Sequence, residues 1–133
     1  MKVVLFVCVE NAGRSQMAEG FFRKYAPKGF QAASAGTRPA GEINPLAVQA
    51  MKEAGIDITG QKSKVITEDM IRGSVKAVNM GCMDRAECPV LFLNNPVDWG
   101  IEDPKGKPME KVRLIRDDIE RRVKELVRDL ENS

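Results

Sequence analysis

The sequence predicts an α/β fold: a three-layer open sheet of four parallel strands with helices on both faces. Three observations predict it. Lys2 to Val7 form an unbroken β-branched and aromatic run, the pattern of a strand buried on both faces. Met17, Phe21 and Tyr25 then recur at helical spacing with Ala18 and Phe22 beside them, making one apolar helix face. Strand-like and helix-like segments keep alternating afterwards, which pairs strands in parallel through crossovers and lays helices on both sides of the sheet.

The first strand ends at Cys8, and the helix that follows stops before Pro27, because proline biases its predecessor away from helical backbone. Phe30 to Ala35 is a weaker strand. Asn44 followed by Pro45 reads as an N-cap and first helical position, with Ala47, Ala50, Met51 and Ala54 on one side and Gly55 as the stop. Thr67 caps a short helix between Gln61 and Gly73. Val75 to Met80 and Val90 to Leu93 read as further strands, and Asn94 to Pro108 as a long loop of the kind that carries function. Val112, Ile115, Ile119, Val123, Leu126 and Leu130 recur among charged residues as an amphipathic closing helix. With 133 residues and no visible linker, repeat or low-complexity tract, a single domain spanning 1–133 is expected.

Composition narrows the chemistry. A net charge of +2 without any block of like charge argues against a nucleic-acid partner. The N-terminal apolar run is too short for a membrane span and lacks a signal-peptide cleavage site, so no membrane partner and a cytoplasmic location are expected. An odd count of 3 cysteines in a reducing compartment disfavours a static disulfide framework. A histidine count of 0 removes Ser-His-Asp and Cys-His catalysis and most zinc sites. Acid and base must come from Asp, Glu, Cys, Lys or Tyr.

The segment CVENAGRS, Cys8 to Ser15, places a cysteine at a strand end, a short loop, and Arg14 where a helix begins. Loop and first-turn N–H groups of Val9, Glu10, Asn11, Ala12, Gly13, Arg14 and Ser15 form a cradle for a tetrahedral oxyanion, reinforced by the positive end of the helix. Arg14 adds a planar fork of donors. The same field ionises Cys8, since cysteines at helix N-termini fall from about 8.5 to roughly 3.5–7.5 in pKa. Ser15 is placed to donate its hydroxyl to that sulfur, and Asn11 to brace the loop. Taken singly, Cys8 also fits a buried structural thiol and Ser15 a helix cap. Their joint spacing arises by chance in only about 2% of average chains, which favours chemistry.

A leaving oxygen needs a proton, and Asp103, held extended by Pro104, is the candidate general acid, with Asp98 and Glu102 as competitors. A carboxyl beside an anion-filled pocket is pushed toward its protonated form. Trp99 either walls the pocket or fills the core.

Four segments together, CVENAGRSQMAEG (Cys8 to Gly20), SAGT (Ser34 to Thr37), NPLAVQAMKEAGID (Asn44 to Asp57) and WGIEDPKGK (Trp99 to Lys107), resemble the low-molecular-weight protein tyrosine phosphatase family, particularly its thioredoxin-coupled arsenate reductase branch. The resemblance spans nearly the whole chain and implies that family's fold. It also implies that Cys82 and Cys88, in GCMDRAECP, are redox cysteines, although two small core residues fit the same positions. On that reading Cys8 attacks arsenate, Asp103 protonates the departing oxygen, Cys82 takes over the Cys8 sulfur as arsenite leaves, and Cys88 passes the disulfide to a thioredoxin-like reductant.

Reductases of this branch bind potassium near the loop, and Asn11, Glu19 and Ser34 match that pattern, but Lys64 stands at the remaining acidic position. Its charge replaces the cation's, so no potassium, metal or resident cofactor is expected. Gly13 stands where the family often has a further cysteine, and the Cys82 to Cys88 interval is one residue short. The main rival is a tyrosine phosphatase working through a phosphocysteine. Against it, Lys105 and Gly106 follow Pro104 where that branch places aromatic residues. A noncatalytic anion-binding module is the third class, and it would need neither nucleophile nor acid.

Overall fold

In the computed structural model, residues 1–81, 91 and 96–132 are described. The chain runs β1 (Lys2–Cys8), α1 (Arg14–Tyr25), β2 (Phe30–Gly36), α2 (Pro45–Glu53), α3 (Glu68–Arg72), β3 (Ser74–Asn79), β4 (Val97–Asp98) and α4 (Met109–Glu131). The strands form a four-stranded sheet in the order β2-β1-β3-β4, parallel at every pairing.

Strand alternation decides what lies on each side. Val4, Phe6 and Cys8 face a core shared with α1, α2 and α4, where Phe6 packs on Phe22 at 5.9 Å and on Trp99 at 5.8 Å between ring centroids. Leu5 and Val7 face the other side with Ile71 of α3, Ala77 and Leu91. Helices therefore cover both faces, as expected. Pro45 and Asn44 start α2 as read from sequence, with the Asn44 side chain accepting from the Leu46 N–H, and Thr67 caps α3 by accepting from the Met70 N–H.

The fourth strand departs from expectation. The run Val90 to Leu93 lies outside the described residues except for Leu91, whose backbone is helical rather than extended. Edge pairing with β3 falls instead to Val97 and Asp98, inside the segment read as loop. Two residues suffice because β4 is anchored beyond its own bonds: the Trp99 N–H donates to Asn79 O, the Ile101 N–H donates to Met80 O, and Trp99 is sunk into the core.

Parallel pairing brings the carboxyl ends of β1, β2 and β3 together at Cys8, Gly36 and Asn79. The chain leaves β1 toward β2 and then crosses back to β3 on the other side, which opens a crevice where ligands settle in such sheets. Cys8 stands at its mouth.

Candidate active site

The loop after β1 is shaped by outward bonds. The carbonyls of Val9, Glu10 and Ala12 accept from the backbone N–H groups of Arg38, Ala40 and Asn44 at 2.9, 2.9 and 2.8 Å. In a trans peptide the next residue's N–H points opposite its carbonyl, and no cis bond is present among the described residues. The N–H groups of Glu10, Asn11 and Gly13 are thereby turned inward. Asn11 shows the result: its N–H lies 3.2 Å from Cys8 Sγ. Asn11 takes the left-handed backbone (φ 51°) that the turn requires, a conformation asparagine tolerates better than most residues.

Gly36 explains how close the neighbouring strand comes. A Cβ there would meet Val9 O at 2.4 Å and Cys8 O at 2.8 Å, so any side chain would push the loop away. Gly13 is constrained from the other direction, since a Cβ would meet the Pro104 ring at 2.9 Å. The Asp103-Pro104 turn is thus seated tightly against Gly13.

Beneath the loop, Cys8 Sγ and Ser15 Oγ are 2.9 Å apart, and Asn11 Nδ2 donates to Ser15 Oγ at 2.8 Å. Because Asn11 donates to Ser15 and takes none of its hydrogen, that hydrogen is available to the sulfur, and an ionised Cys8 can only accept it. Arg14 is buried and donates through Nη1 to Ile101 O at 2.8 Å, while its Nη2 stands 3.6 Å from Asp103 Oδ2. Asp103 is half exposed, with 56% of its side chain accessible, and its Oδ1 accepts from the Lys105 N–H at 3.0 Å. Lys105 Nζ in turn reaches Glu10 Oε1 at 2.8 Å.

A cavity of about 470 Å³ opens over these groups, lined by Cys8, Val9, Glu10, Ala12, Gly13, Arg14 and Asp103, and walled by Ala40, Ile43, Pro45 and Lys105 among others. Asp98 and Glu102, the competing acids, are not on its wall. Glu102 is held ionised below the usual carboxylate range, first by its hydrogen bond from Lys111, at 3.0 Å, with Lys107 adding to the effect. Trp99 lies in the core rather than on the cavity.

Sequence reading placed Cys8, Arg14, Ser15 and Asp103 in one site, and the structure brings these four together. Cys82 and Cys88 lie outside the described residues. Three features were missed. Gln16 is fully buried and donates to both Asn11 O and Asn11 Oδ1. Gln61, from a segment far along the chain, donates to Gln16. The Glu10 to Lys105 ion pair ties the two loops. Gln16 adjoins the Arg14-Ser15 pair in the first turn of α1, its one local signal, while the other two depend on tertiary proximity alone. Lys64 Nζ lies 3.8 Å from Glu19 Oε1, and Ser34 donates to that same oxygen. Among the described residues no cluster of His, Cys, Asp and Glu is arranged to hold a metal ion, and no helix is long and apolar enough to cross a membrane.

The family model for low molecular weight phosphotyrosine protein phosphatase matches residues 3–133. An arsenate reductase of Brevibacillus brevis is 40% identical over 124 residues, covering 92% of each chain. Among solved structures, an arsenate reductase in its phosphate-binding state aligns with a TM-score of 0.84 at 33% identity, covering 97% of this chain and 98% of that one. A thioredoxin-dependent arsenate reductase of Corynebacterium glutamicum gives 0.81 at 35% identity, over 98% of this chain and 62% of that one. An arginine phosphatase of Geobacillus stearothermophilus gives 0.87 at 26% identity, over 99% and 94%.

Proposed function

The chain belongs to the low molecular weight phosphotyrosine protein phosphatase family, and we propose that within it this protein is an arsenate reductase working through Cys8. The observation that carries the reading is the convergence on one sulfur. Cys8 Sγ receives the Asn11 N–H at 3.2 Å, stands 2.9 Å from Ser15 Oγ, and shares a cavity with Arg14 and Asp103. Donors aimed at a sulfur favour its thiolate, and a guanidinium beside inward-facing amides favours a tetrahedral anion above it.

Arsenate enters the cradle of residues Val9 to Ser15 and is oriented by Arg14. The Cys8 thiolate attacks arsenic, and Asp103 gives its proton to the departing oxygen, leaving a covalent arsenic–sulfur adduct and water. Cys82 then attacks Cys8 Sγ. The sulfur–arsenic bond breaks with its electron pair passing to arsenic, so arsenic(V) becomes arsenic(III) while two thiols become one disulfide. Cys88 attacks Cys82, Cys8 leaves as thiolate, and an external thioredoxin-like dithiol reduces the Cys82–Cys88 disulfide. The likeness to the Corynebacterium enzyme supports that reductant. No metal or resident cofactor enters this cycle. The Lys64 ammonium beside Glu19 provides positive charge under the loop in place of potassium. Chain 1–133 acts as one catalytic domain, suited to the reducing cytoplasm, where its thiols stay available.

A low-molecular-weight phosphatase activity through a phosphocysteine is the second reading, favoured by the size of the cavity, which exceeds what a bare oxyanion fills. Its lining carries no aromatic side chain among the described residues, which fits a weak rather than a dedicated aryl phosphatase. Cys82→Ser and Cys88→Ser separate the two readings. Cys82→Ser should form no arsenite and Cys88→Ser no more than one equivalent per chain, from the Cys82 step, so turnover is lost in both variants while aryl phosphate hydrolysis persists. Retention of arsenite formation in both would remove the reductase mechanism.

A further inference from the structure

Resting on the reading of Cys8 as the nucleophile, we propose that Gln16 and Gln61 are positioning residues that fix the direction of the Ser15 to Cys8 hydrogen bond, and so hold the sulfur as a thiolate. A side-chain amide has a donor end and an acceptor end, and turning it over inverts every bond it makes. Backbone groups, whose character is fixed, decide each orientation here.

Gln61 Nε2 lies 3.0 Å from the backbone carbonyl of Gln16, so the donor end of Gln61 faces it. The same nitrogen is 2.8 Å from Gln16 Oε1, which turns the acceptor end of Gln16 toward Gln61. Gln16 Nε2 then faces the backbone carbonyls of Asn11 and Lys62, both at 2.9 Å, and Asn11 Oδ1 at 3.0 Å. Asn11 Oδ1 also accepts from the Lys64 backbone N–H at 3.0 Å, a group able only to donate. What remains to Asn11 is Nδ2, donating to Ser15 Oγ at 2.8 Å, which leaves the Ser15 hydrogen available to Cys8 Sγ, 2.9 Å away.

The side-chain relay therefore has one direction, from Gln61 through Gln16 and Asn11 to Ser15, each amide donating to the next member. Asn11, Ser15 and Gln16 are 0% exposed and Gln61 9%, so water does not compete with these bonds. Aligned donors in a low dielectric polarise one another, which places the positive end of the chain at Cys8. At the opposite end Gln61 Oε1 is buried with no hydrogen-bond partner among the described residues. An unmet acceptor destabilises the fold, yet turning the Gln61 amide over to expose its oxygen elsewhere would set it against the oxygens of Gln16. A neutral thiol needs no such arrangement, because it can donate to Ser15 itself.

The test uses the full chain carrying Cys82→Ser and Cys88→Ser, so that iodoacetamide reports on Cys8 alone, and follows alkylation rate against pH. Gln16→Met and Gln61→Met remove the donor amide at similar volume. The midpoint should rise by about one pH unit in Gln16→Met, a roughly tenfold loss of thiolate below the midpoint, and by less in Gln61→Met. In a Ser15→Ala background, where the relay no longer reaches the sulfur, neither variant should move the midpoint further. Unmoved midpoints in both variants, or equal shifts with and without Ser15, would overturn the proposal. Should Gln16→Met fail to fold, Gln61→Met decides on its own. Arsenite formation by the unaltered chain is measured alongside: its absence refutes the reductase reading, while the alkylation profile still judges the relay.

Discussion

The underside and the rim of the oxyanion loop are built from opposite materials. Below, Asn11, Ser15 and Gln16 are neutral and fully buried, and Asn11 and Gln16 are bonded to backbone groups while Ser15 is bonded to Asn11. Above, Asp103, Lys105 and Glu10 are charged and substantially exposed, and they meet through one turn that lies against Gly13. Buried neutral networks hold geometry, whereas exposed ion pairs are weak and screened by salt. On the proposed reading of Cys8 and Asp103, the nucleophile is thus set at folding, while the acid remains adjustable when substrate arrives.

Arg14 belongs to both regions, since its guanidinium is buried beside the loop yet bonded to Ile101 O and close to Asp103. Arg14→Lys should break the comparison most severely. A single ammonium cannot serve the anion, the carbonyl and the carboxylate at once, and kcat/KM for arsenite formation or aryl phosphate hydrolysis should fall about 100- to 1000-fold. Asp103→Asn comes next, with a loss of about 100-fold in kcat. It should leave the pH profile of Cys8 alkylation unchanged, because it removes a rim residue and nothing below. A shifted alkylation profile in Asp103→Asn would show that rim and underside are a single electrostatic unit.

The two regions were also unequally legible in the sequence. Cys8, Arg14 and Ser15 follow one another along one strand-to-helix turn, so their spacing alone implies their meeting. Asp103 was reachable because Pro104 marks a rigid turn in a long loop. Gln61 and Lys64 touch the loop only because the segment before α3 crosses Gly36, where Val65 bridges to it, and no local pattern encodes that contact. The fold shows the same division. Strands and helices with strong periodicity were read within a residue or two, as at α1, whose end at Tyr25 precedes Pro27. The two-residue β4 carries no pattern of its own and exists through its pairing with Val78 and Asn79.

Gly36→Ala tests how strongly the underside depends on close approach. The added Cβ would sit 2.4 Å from Val9 O and 3.0 Å from Asn11 N, both backbone atoms that cannot swing away. Overpacking of this kind costs about 1 to 3 kcal/mol, readable as a lowered urea midpoint with an unchanged slope. Alkylation of Cys8 should weaken in the same variant as the loop is displaced. Full stability together with full alkylation would mean that the loop yields more easily than its bonding implies.

The smallest effect is expected at the Glu10 to Lys105 pair, where the rim meets itself. Lys105 Nζ is 2.8 Å from Glu10 Oε1, and its own N–H holds Asp103 Oδ1, so the pair tethers the turn that carries the acid. Because both partners are exposed, Glu10→Gln should lower kcat/KM by only about two- to fivefold. The loss should be greater for phenyl phosphate than for p-nitrophenyl phosphate, since a poorer leaving group depends more on a well-placed proton donor. The hydrogen bond and charge of Glu10 raise the Lys105 pKa above its ordinary 10.5. A raised cation contributes fully below its unfolded value and is lost as pH climbs through the higher folded one. The difference between the two proteins should therefore stay constant from about pH 6 to pH 9 and shrink only on the alkaline side of 10.5. A loss equal for both esters would place Glu10 in holding the loop's shape rather than in aiming Asp103.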